Sequence, residues 1–349
     1  MVPAHDHSRL LHNAVVALDA GRLERAIQIC SVGLNRNCDT ETHIKLRLTR
    51  AEAEVSMGAW ADAQNDCERL LAIAPSAQAY ALLARSLFEQ RRLVEAREAV
   101  ESALAEEPST LGHVRLRAEI LLSSGQHDTA VQACRQAYAL DTSPVTLKLL
   151  LLALAAASKQ AELIATLEQQ LPHESRAAGI WCMLGYAHNS LGQDAAAVAA
   201  FTQALRLDPG RGDAHCGLGY ALLRQGNYAQ GFLHHEHRQG TGGIVNRLGV
   251  PSWQGESLAS KHLLVRTEQA MGDMIQFARY VPLASRLAES VTFKVPKGLI
   301  RVFSSNHEMG RLTSEHPGLG VADVQAPVMS LPHRLGIGND VSRAAVPYL

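Results

Sequence analysis

A small residue recurs through the first two thirds of the chain in one local setting, and this repeat constrains the fold more than any other feature of the sequence. Successive members lie 37, 33, 34, 67 and 34 residues apart, where the step of 67 spans two periods: Ala26, Ala63, Ala96, Ala130, Ala197 and Gly231. A second series keeps a matching phase upstream: Ala51, Ala84, Ala118, Gly185 and Gly219. Two series of one period predict an array of a repeated structural unit.

Each unit has the pattern of two amphipathic helices joined by a short turn. Glycine marks five of these turns: Gly21, Gly58, Gly125, Gly192 and Gly226. Proline closes three units at one phase, because it cannot continue a helix: Pro75, Pro108 and Pro209. A small residue is expected where the two helices cross, since a larger side chain would push their axes apart. We therefore assign a packing role to Ala63, Ala96, Ala130, Gly185, Ala197 and Gly219.

One unit carries the pattern most clearly: Trp181-x-x-Leu184-Gly185-x-x-His188, followed by Gly192, Ala197, Phe201, Ala204 and Pro209. This string resembles the tetratricopeptide repeat, and the resemblance covers about residues 8–240 in about seven units. It implies a mainly α-helical solenoid whose first helices line a concave groove. Members of this family hold peptides or proteins in that groove. Protein or peptide binding is therefore the expected use, with a spacer that has no ligand as the alternative.

Composition excludes several other partners. The chain has 33 basic and 34 acidic side chains and a net charge of -1, which argues against a nucleic acid or anionic membrane held by bulk electrostatics. The longest apolar run, Leu149 to Ala157, is too short to span a bilayer, and Met1 to Arg9 lacks the features of a signal peptide. We expect a cytoplasmic protein with no membrane span.

The cysteines and histidines do not predict a metal site. The six cysteines form no C-x-x-C pair, and three of them share one phase of the repeat, where they are expected to be reduced and packed in the core: Cys30, Cys67 and Cys134. His234-His235-x-His237 occupies a helix, where adjacent side chains point in different directions, so we interpret it as surface or groove polarity. His5 and His7 are interpreted as part of a solvated tail. No metal and no cofactor are predicted.

The pattern changes after Gln239. The run Gly240 to Gly243 breaks the helical period, and the following elements alternate: a strand at His262–Arg266, a helix at 272–287, a strand at 291–295 and a helix at 297–305. Such alternation predicts a parallel sheet with helices on its faces. The chain is thus expected to comprise a solenoid over 1–240 and a small α/β domain over 241–349.

The loop from Glu268 to Asp273 joins the first predicted strand to its helix. In α/β folds ligands bind at such loops, because several backbone N–H groups converge at the carboxyl end of a parallel strand. The local pattern by itself favours a different role for Asp273, to cap or charge-stabilise the start of the helix.

A longer string changes this balance: Pro251-x-Trp253-x-Gly255-Glu256-x-Leu258-x-x-Lys261, Glu268-Gln269-x-x-Gly272-Asp273-x-Ile275-Gln276-Phe277-x-Arg279-Tyr280, Ala326 to Pro332 and Pro347-Tyr348-Leu349. Residues 247–349 resemble the heptosyltransferase-like glycosyltransferase of bacterial fusions with tetratricopeptide repeats. The resemblance implies the Rossmann-like, acceptor-side half of a GT-B fold. It implies that Asp273 is a general base for the acceptor hydroxyl, in an acceptor-site loop with Glu268, Gln269, Met271 and Gly272. Ala270 departs from the family, whose loops commonly carry glycine there.

The family pattern would continue beyond Leu349 into a donor-binding domain that this sequence does not contain. The leading prediction is therefore a protein- or peptide-binding scaffold with a truncated glycosyltransferase-like domain, inactive alone because donor and acceptor cannot be positioned together. The alternative is a glycosyltransferase that moves a sugar from a nucleotide-sugar to an acceptor recruited by the repeats, once a second domain is supplied. In a third interpretation the whole chain is structural, and the terminal segment only covers the apolar end of the solenoid.

Overall fold

The computed structural model describes residues 4–36, 38–174, 177–240, 249–268, 271–315 and 322–344. The chain packs as two compact units, Met1–Glu162 and Leu163–Leu349. The domain boundary near residue 240 remains a prediction, because that residue lies inside the second compact unit. No helix in the described ranges is long and apolar enough to cross a membrane.

The first unit consists of helices in consecutive antiparallel pairs. Their bounds are α1 Ala4–Asp19, α2 Leu23–Leu34, α3 Thr40–Met57, α4 Trp60–Leu71, α5 Ala77–Glu89, α6 Leu93–Glu106, α7 Leu111–Ser123, α8 His127–Leu140 and α9 Pro144–Ala156. The two helices of a pair pack together, and the first helices of successive pairs also contact each other. The first helices therefore form a continuous layer. The amino terminus is helical rather than a solvated tail, and His7 is buried.

One turn position recurs between the two helices of every pair. Its backbone is left-handed, with φ of +68 to +81° at the five glycines predicted to mark these turns. Arg91 and Ser158 occupy the same position in the two turns that lack glycine, with φ of 64 and 55°. A side chain makes this conformation unfavourable, so these two turns are strained.

Small residues lie where the helices cross. Ala63, Ala96, Ala130 and Ala197 are fully buried. A Cβ atom on Gly185 would lie 2.7 Å from the Phe201 ring, and one on Gly219 would lie 3.0 Å from the backbone nitrogen of His235. These distances leave no room for a larger side chain at either glycine.

The second unit contains further helix pairs and a sheet. α10 (Gln160–Glu174) begins in the first unit and lies mostly in the second, followed by α11 Ala178–Ser190, α12 Asp194–Leu207, α13 Gly212–Arg224, α14 Tyr228–His235 and a 3-10 turn at Glu236–Gly240. The four strands are β1 His262–Arg266, β2 Ser290–Lys294, β3 Arg311–Thr313 and β4 Val324–Pro327, all parallel in the order β3-β2-β1-β4. The two strands and the parallel pairing predicted from the sequence are confirmed.

The prediction of one helix over 272–287 is wrong. The segment forms α15 (Met271–Ala278) and α16 (Val281–Ser285). Pro282 is the physical reason, because its ring has no N–H to donate and would clash with a helical carbonyl one turn earlier. The predicted helix at 297–305 is present as α17 (Lys297–Phe303), and a short α18 covers Leu331–Arg334.

The sheet buries one face against its helices. Alternate strand residues, among them Val265 and Phe293, share an apolar cluster with residues of α15, α16 and α17. Helices α15, α16 and α17 thus pack on this face of the sheet. The opposite face is more polar, and there His262 Nε2 lies 2.9 Å from the Thr292 hydroxyl. The fold is a mainly helical solenoid of the tetratricopeptide type with a small parallel sheet near its carboxyl end.

Candidate functional site

The layer of first helices presents a charged lining in the first unit. On these first helices, the residue that follows the small crossing residue contacts the first helix of a neighbouring repeat. Gln78 donates a hydrogen bond from the next helix to Glu52, and Arg85 Nη1 lies 2.8 Å from Glu119 Oε2. Burial raises the pKa of Glu52. These contacts connect one repeat to the next through charged and polar groups.

In the second unit, the residue that follows the small crossing residue on a first helix is a tyrosine. Tyr186 and Tyr220 lie 34 residues apart on α11 and α13, and 42 and 44% of their surface is exposed. The Tyr186 hydroxyl donates to the Asp213 carbonyl at 2.7 Å, and its ring stands edge-on to Phe201 with centroids 5.0 Å apart. Half-exposed, anchored tyrosines provide rigid apolar surface with a polar tip, which suits recognition of a peptide.

Glu268 is engaged within the protein rather than presented to a ligand. Its carboxylate accepts hydrogen bonds from Arg238 Nη2 at 3.0 and 2.7 Å, and from the Met329 N–H at 3.3 Å. The Glu268 and Arg238 side chains are only 4 and 5% exposed. Arg238 also donates to the Ser330 hydroxyl at 2.8 Å. The geometry therefore favours a positioning role for Glu268 in the loop that the sequence assigned to the acceptor.

A second carboxylate extends this network. Glu236 accepts from Arg238 Nη1 at 3.1 Å and from Arg334 Nη2 at 2.7 Å. The network therefore links the 3-10 turn after α14, the end of the segment that follows β1, and the short helix α18.

Asp273 is half-buried in the first turn of α15. Burial raises the pKa of the Tyr220 hydroxyl, and Cys216 and then Asp273 add smaller contributions in the same direction. Met271 is exposed. Gly272 is also exposed, and a Cβ atom there would meet nothing within 4 Å. Gln269, like Ala270, lies outside the described residues.

A histidine cluster lies beside Tyr220. His215 Nδ1 is 2.8 Å from His234 Nδ1, and the His215 ring stacks on His237 with centroids 3.7 Å apart. His235 is 1% exposed and stands edge-on to Tyr220 at 5.4 Å. Surface polarity is therefore the wrong interpretation of His235, which faces the core of the last pair.

The described part of the chain contains no group of three or more His, Cys, Asp or Glu that could hold a metal ion. The cysteines are free thiols. Burial raises the pKa of Cys30, Cys67 and Cys134 to about 12, so they stay neutral and are poor nucleophiles.

Sequence reasoning missed Tyr186, Tyr220 and Arg238 as residues of this region. The 34-residue spacing of Tyr186 and Tyr220, one position after Gly185 and Gly219, could have identified the tyrosines. Nothing in the sequence links Arg238 to Glu268, because their contact depends on tertiary packing.

Family models match three stretches of the chain. A model described as "Tetratricopeptide repeat" matches residues 48–110 and 95–144, and one described as "TPR repeat" matches residues 185–226. These stretches are tetratricopeptide repeats, as the sequence predicted. No curated protein matches the chain in sequence.

Solved structures of repeat proteins resemble the fold. The C-terminal part of a TPR repeat-containing protein from Cytophaga hutchinsonii is 11% identical, covers 66% of this chain and 94% of its own, and has a TM-score of 0.54. The apo form of RapI is 13% identical, covers 67 and 76%, and has a TM-score of 0.53. A tetratricopeptide repeat protein from Parabacteroides merdae is 13% identical, covers 70 and 95%, and has a TM-score of 0.49. At these identities the likeness concerns the fold alone.

Proposed function

We propose that the chain is a scaffold that binds a protein or peptide along the first helices of its repeats. Tetratricopeptide repeat proteins bind peptides or proteins. The observation that carries the proposal here is the pair Tyr186 and Tyr220, which are exposed at equivalent positions of successive repeats and are each held by a neighbouring group. Two such aromatic side chains, one repeat apart, offer apolar surface to the side chains of a bound peptide.

The binding surface is tested by selecting peptides from a random displayed library on the full chain. We expect selected peptides to lose at least about tenfold in affinity for Tyr186→Ser and Tyr220→Ser, which is the usual scale for an aromatic anchor. Leu207→Ser is the matched control, because it removes an exposed apolar side chain at the end of a second helix. Equal binding to all three variants and the wild type would contradict the proposal.

The terminal sheet region is proposed to be the acceptor-side half of a glycosyltransferase-like domain. Its support is the parallel β1–β2 pair and the position of Asp273 in the first turn of the helix that follows β1. In that reading Asp273 takes the proton of an acceptor hydroxyl, while Glu268, Gln269, Met271 and Gly272 shape the loop. In that fold, transfer also needs a nucleotide-sugar held by a donor-binding domain.

An enzyme assay separates this scaffold from the alternative, in which the chain itself transfers sugar. The full chain is incubated with a panel of nucleotide-sugars, and release of the nucleoside diphosphate is measured with Asp273→Asn as the comparison. The scaffold proposal expects no release by either protein. Release by the wild type that Asp273→Asn abolishes would replace it with the glycosyltransferase. The cytoplasmic location expected from the sequence stays a prediction.

A further inference from the structure

The first helices α11 and α13 carry almost no charge. Asp213 and Arg224 are the only Asp, Glu, Lys or Arg side chains on these two helices. Each of them is paired, because Asp213 Oδ1 lies 2.9 Å from Arg211 Nε and Arg224 Nε donates to Asp194 Oδ1 at 2.8 Å. The two helices therefore offer no unpaired carboxylate or cation to a charged peptide, and an uncharged segment complements them.

The two tyrosines of these helices form an open surface with a fixed spacing. Tyr186 and Tyr220 are both exposed, and each ring is held edge-on by an aromatic neighbour. Because both are first helices, α11 and α13 run in the same direction, and they pack against each other. Equivalent residues of two helices packed in this way lie about 8–10 Å apart. A bound peptide thus meets two anchored rings at that separation.

This spacing distinguishes between the extended conformations of a bound peptide. A polyproline II helix has three residues per turn and rises about 3.1 Å per residue, so residues i and i+3 lie on one side about 9 Å apart. In a β-strand, residues on the same face follow one another at about 6.7 Å. The polyproline II repeat therefore matches the separation of the two rings, and the strand repeat does not.

A hydrogen-bond donor is available at the same surface. The Tyr186 hydroxyl donates to the Asp213 carbonyl, whereas the Tyr220 hydroxyl has no hydrogen-bond partner among the described residues. The backbone carbonyls of a polyproline II helix have no internal hydrogen bonds, so they need donors from a partner. An α-helical peptide satisfies its own carbonyls and would leave this hydroxyl unused. The Tyr220 hydroxyl thus also favours polyproline II.

We propose that α11 and α13 bind an uncharged, proline-rich segment of a partner protein in the polyproline II conformation. Two prolines three residues apart pack on the rings of Tyr186 and Tyr220, and a backbone carbonyl of the segment accepts a hydrogen bond from the Tyr220 hydroxyl. Proline-rich segments dock on aromatic side chains in this way, and their preformed conformation reduces the entropy lost on binding. The inference rests on the proposed peptide-binding function and names the class of its ligand.

The test is fluorescence anisotropy of the full chain with short, labelled, uncharged peptides. One peptide carries proline at every third position, and a second has the same composition with proline at every fourth position. We expect saturable binding of the first peptide and a loss of about tenfold or more in affinity for the second.

Variants of the full chain locate the binding surface. Tyr186→Ser and Tyr220→Ser should each weaken binding of the first peptide by about tenfold. Tyr220→Phe keeps the ring and removes only the donor, so it should lose about threefold. Leu207→Ser, which removes an exposed apolar side chain from a second helix, is the control and should bind as the wild type does. Circular dichroism of each variant separates loss of binding from loss of folding.

Three results would overturn the proline-rich ligand. They are no saturable binding of the first peptide up to about 1 mM, equal affinity for the two proline spacings, and wild-type affinity in both serine variants. If peptides selected from the random library still depend on Tyr186 and Tyr220, the proline-rich class alone fails and the peptide-binding function stands. If neither kind of peptide binds, both proposals fail.

Discussion

Arg238 and Glu268 form a buried ion pair, with Nη2 2.7 Å from Oε2, that joins the turn after the last repeat helix to the loop after β1. The pair is reinforced by Ser330 and the Met329 N–H, which satisfy further donors and acceptors. Buried charges persist only where they are paired and hydrogen-bonded. The last repeat and the sheet of the second unit therefore share one polar network.

Replacing Glu268 by alanine should destabilise the protein strongly. Arg238 would keep its charge at a buried position and lose one of its two carboxylate partners, while its pair with Glu236 remains, so we expect a cost of about 1.5–3 kcal/mol of unfolding free energy. Urea unfolding of the full chain, followed by circular dichroism, measures the loss. Arg286→Ala is the control, because its pair with Glu308 is exposed on both sides and is worth at most about 1 kcal/mol. Equal losses in the two variants would refute the structural role of Glu268.

The sequence predicted the repeat well because its determinants are local. Helix crossings need a small residue every 34 positions or so, and the turn needs a left-handed backbone, so alanine and glycine mark the units directly. The position of β1 was also predictable from a short apolar run. The role of Glu268 was not, because its partner Arg238 comes from another segment. Pro282 did indicate a helix break in the sequence, but the prediction extended one helix through this residue.

Arg91→Gly should stabilise the first unit. Arg91 is exposed and adopts φ of 64° at a turn position that glycine occupies in five other repeats. Relief of the left-handed strain outweighs the added freedom of glycine in the unfolded chain, giving a net gain of about 0.5–1 kcal/mol. Urea unfolding measures the change. Gly125→Ala is the reverse substitution at an equivalent turn and should lower the unfolding free energy by about 1 kcal/mol. A lower unfolding free energy in Arg91→Gly would contradict the presence of strain at Arg91.

Gly217→Ala should destabilise the packing of α13 against α12. The added Cβ atom would lie 2.2 Å from the Phe201 ring, which is fully buried and cannot move away freely. Overpacking of this kind costs about 1–3 kcal/mol. Thermal or urea unfolding checks the value, and adding Phe201→Leu should recover part of the loss. Gly112→Ala on α7 is the control, because a Cβ atom there meets nothing within 4 Å, and it should raise the unfolding free energy by up to about 1 kcal/mol. A lower unfolding free energy in Gly112→Ala would show that the contact with Phe201 is not the cause of the loss in Gly217→Ala.

The second unit should lose stability in acid through its histidine cluster. Burial lowers the pKa of His234 and His237, and the His215 ring lowers both further. Burial, followed by the charge of Arg238, lowers the pKa of His235 to about 4, while Glu236 opposes this shift. The unfolded chain therefore binds protons first, so the stabilisation is present above about pH 6.5 and is lost as pH falls toward 4.

His235 alone accounts for up to about 3 kcal/mol of this loss, at about 1.4 kcal/mol for each unit of pKa. Neither of its ring nitrogens has a hydrogen-bond partner among the described residues, so His235→Phe removes the titration without orphaning a neighbour. We expect unfolding free energies measured between pH 7 and 4 to fall less steeply in His235→Phe than in the wild type. His307→Gln, which changes an exposed histidine of the same unit, should retain the wild-type slope, and an unchanged slope in His235→Phe would exclude the cluster as the cause.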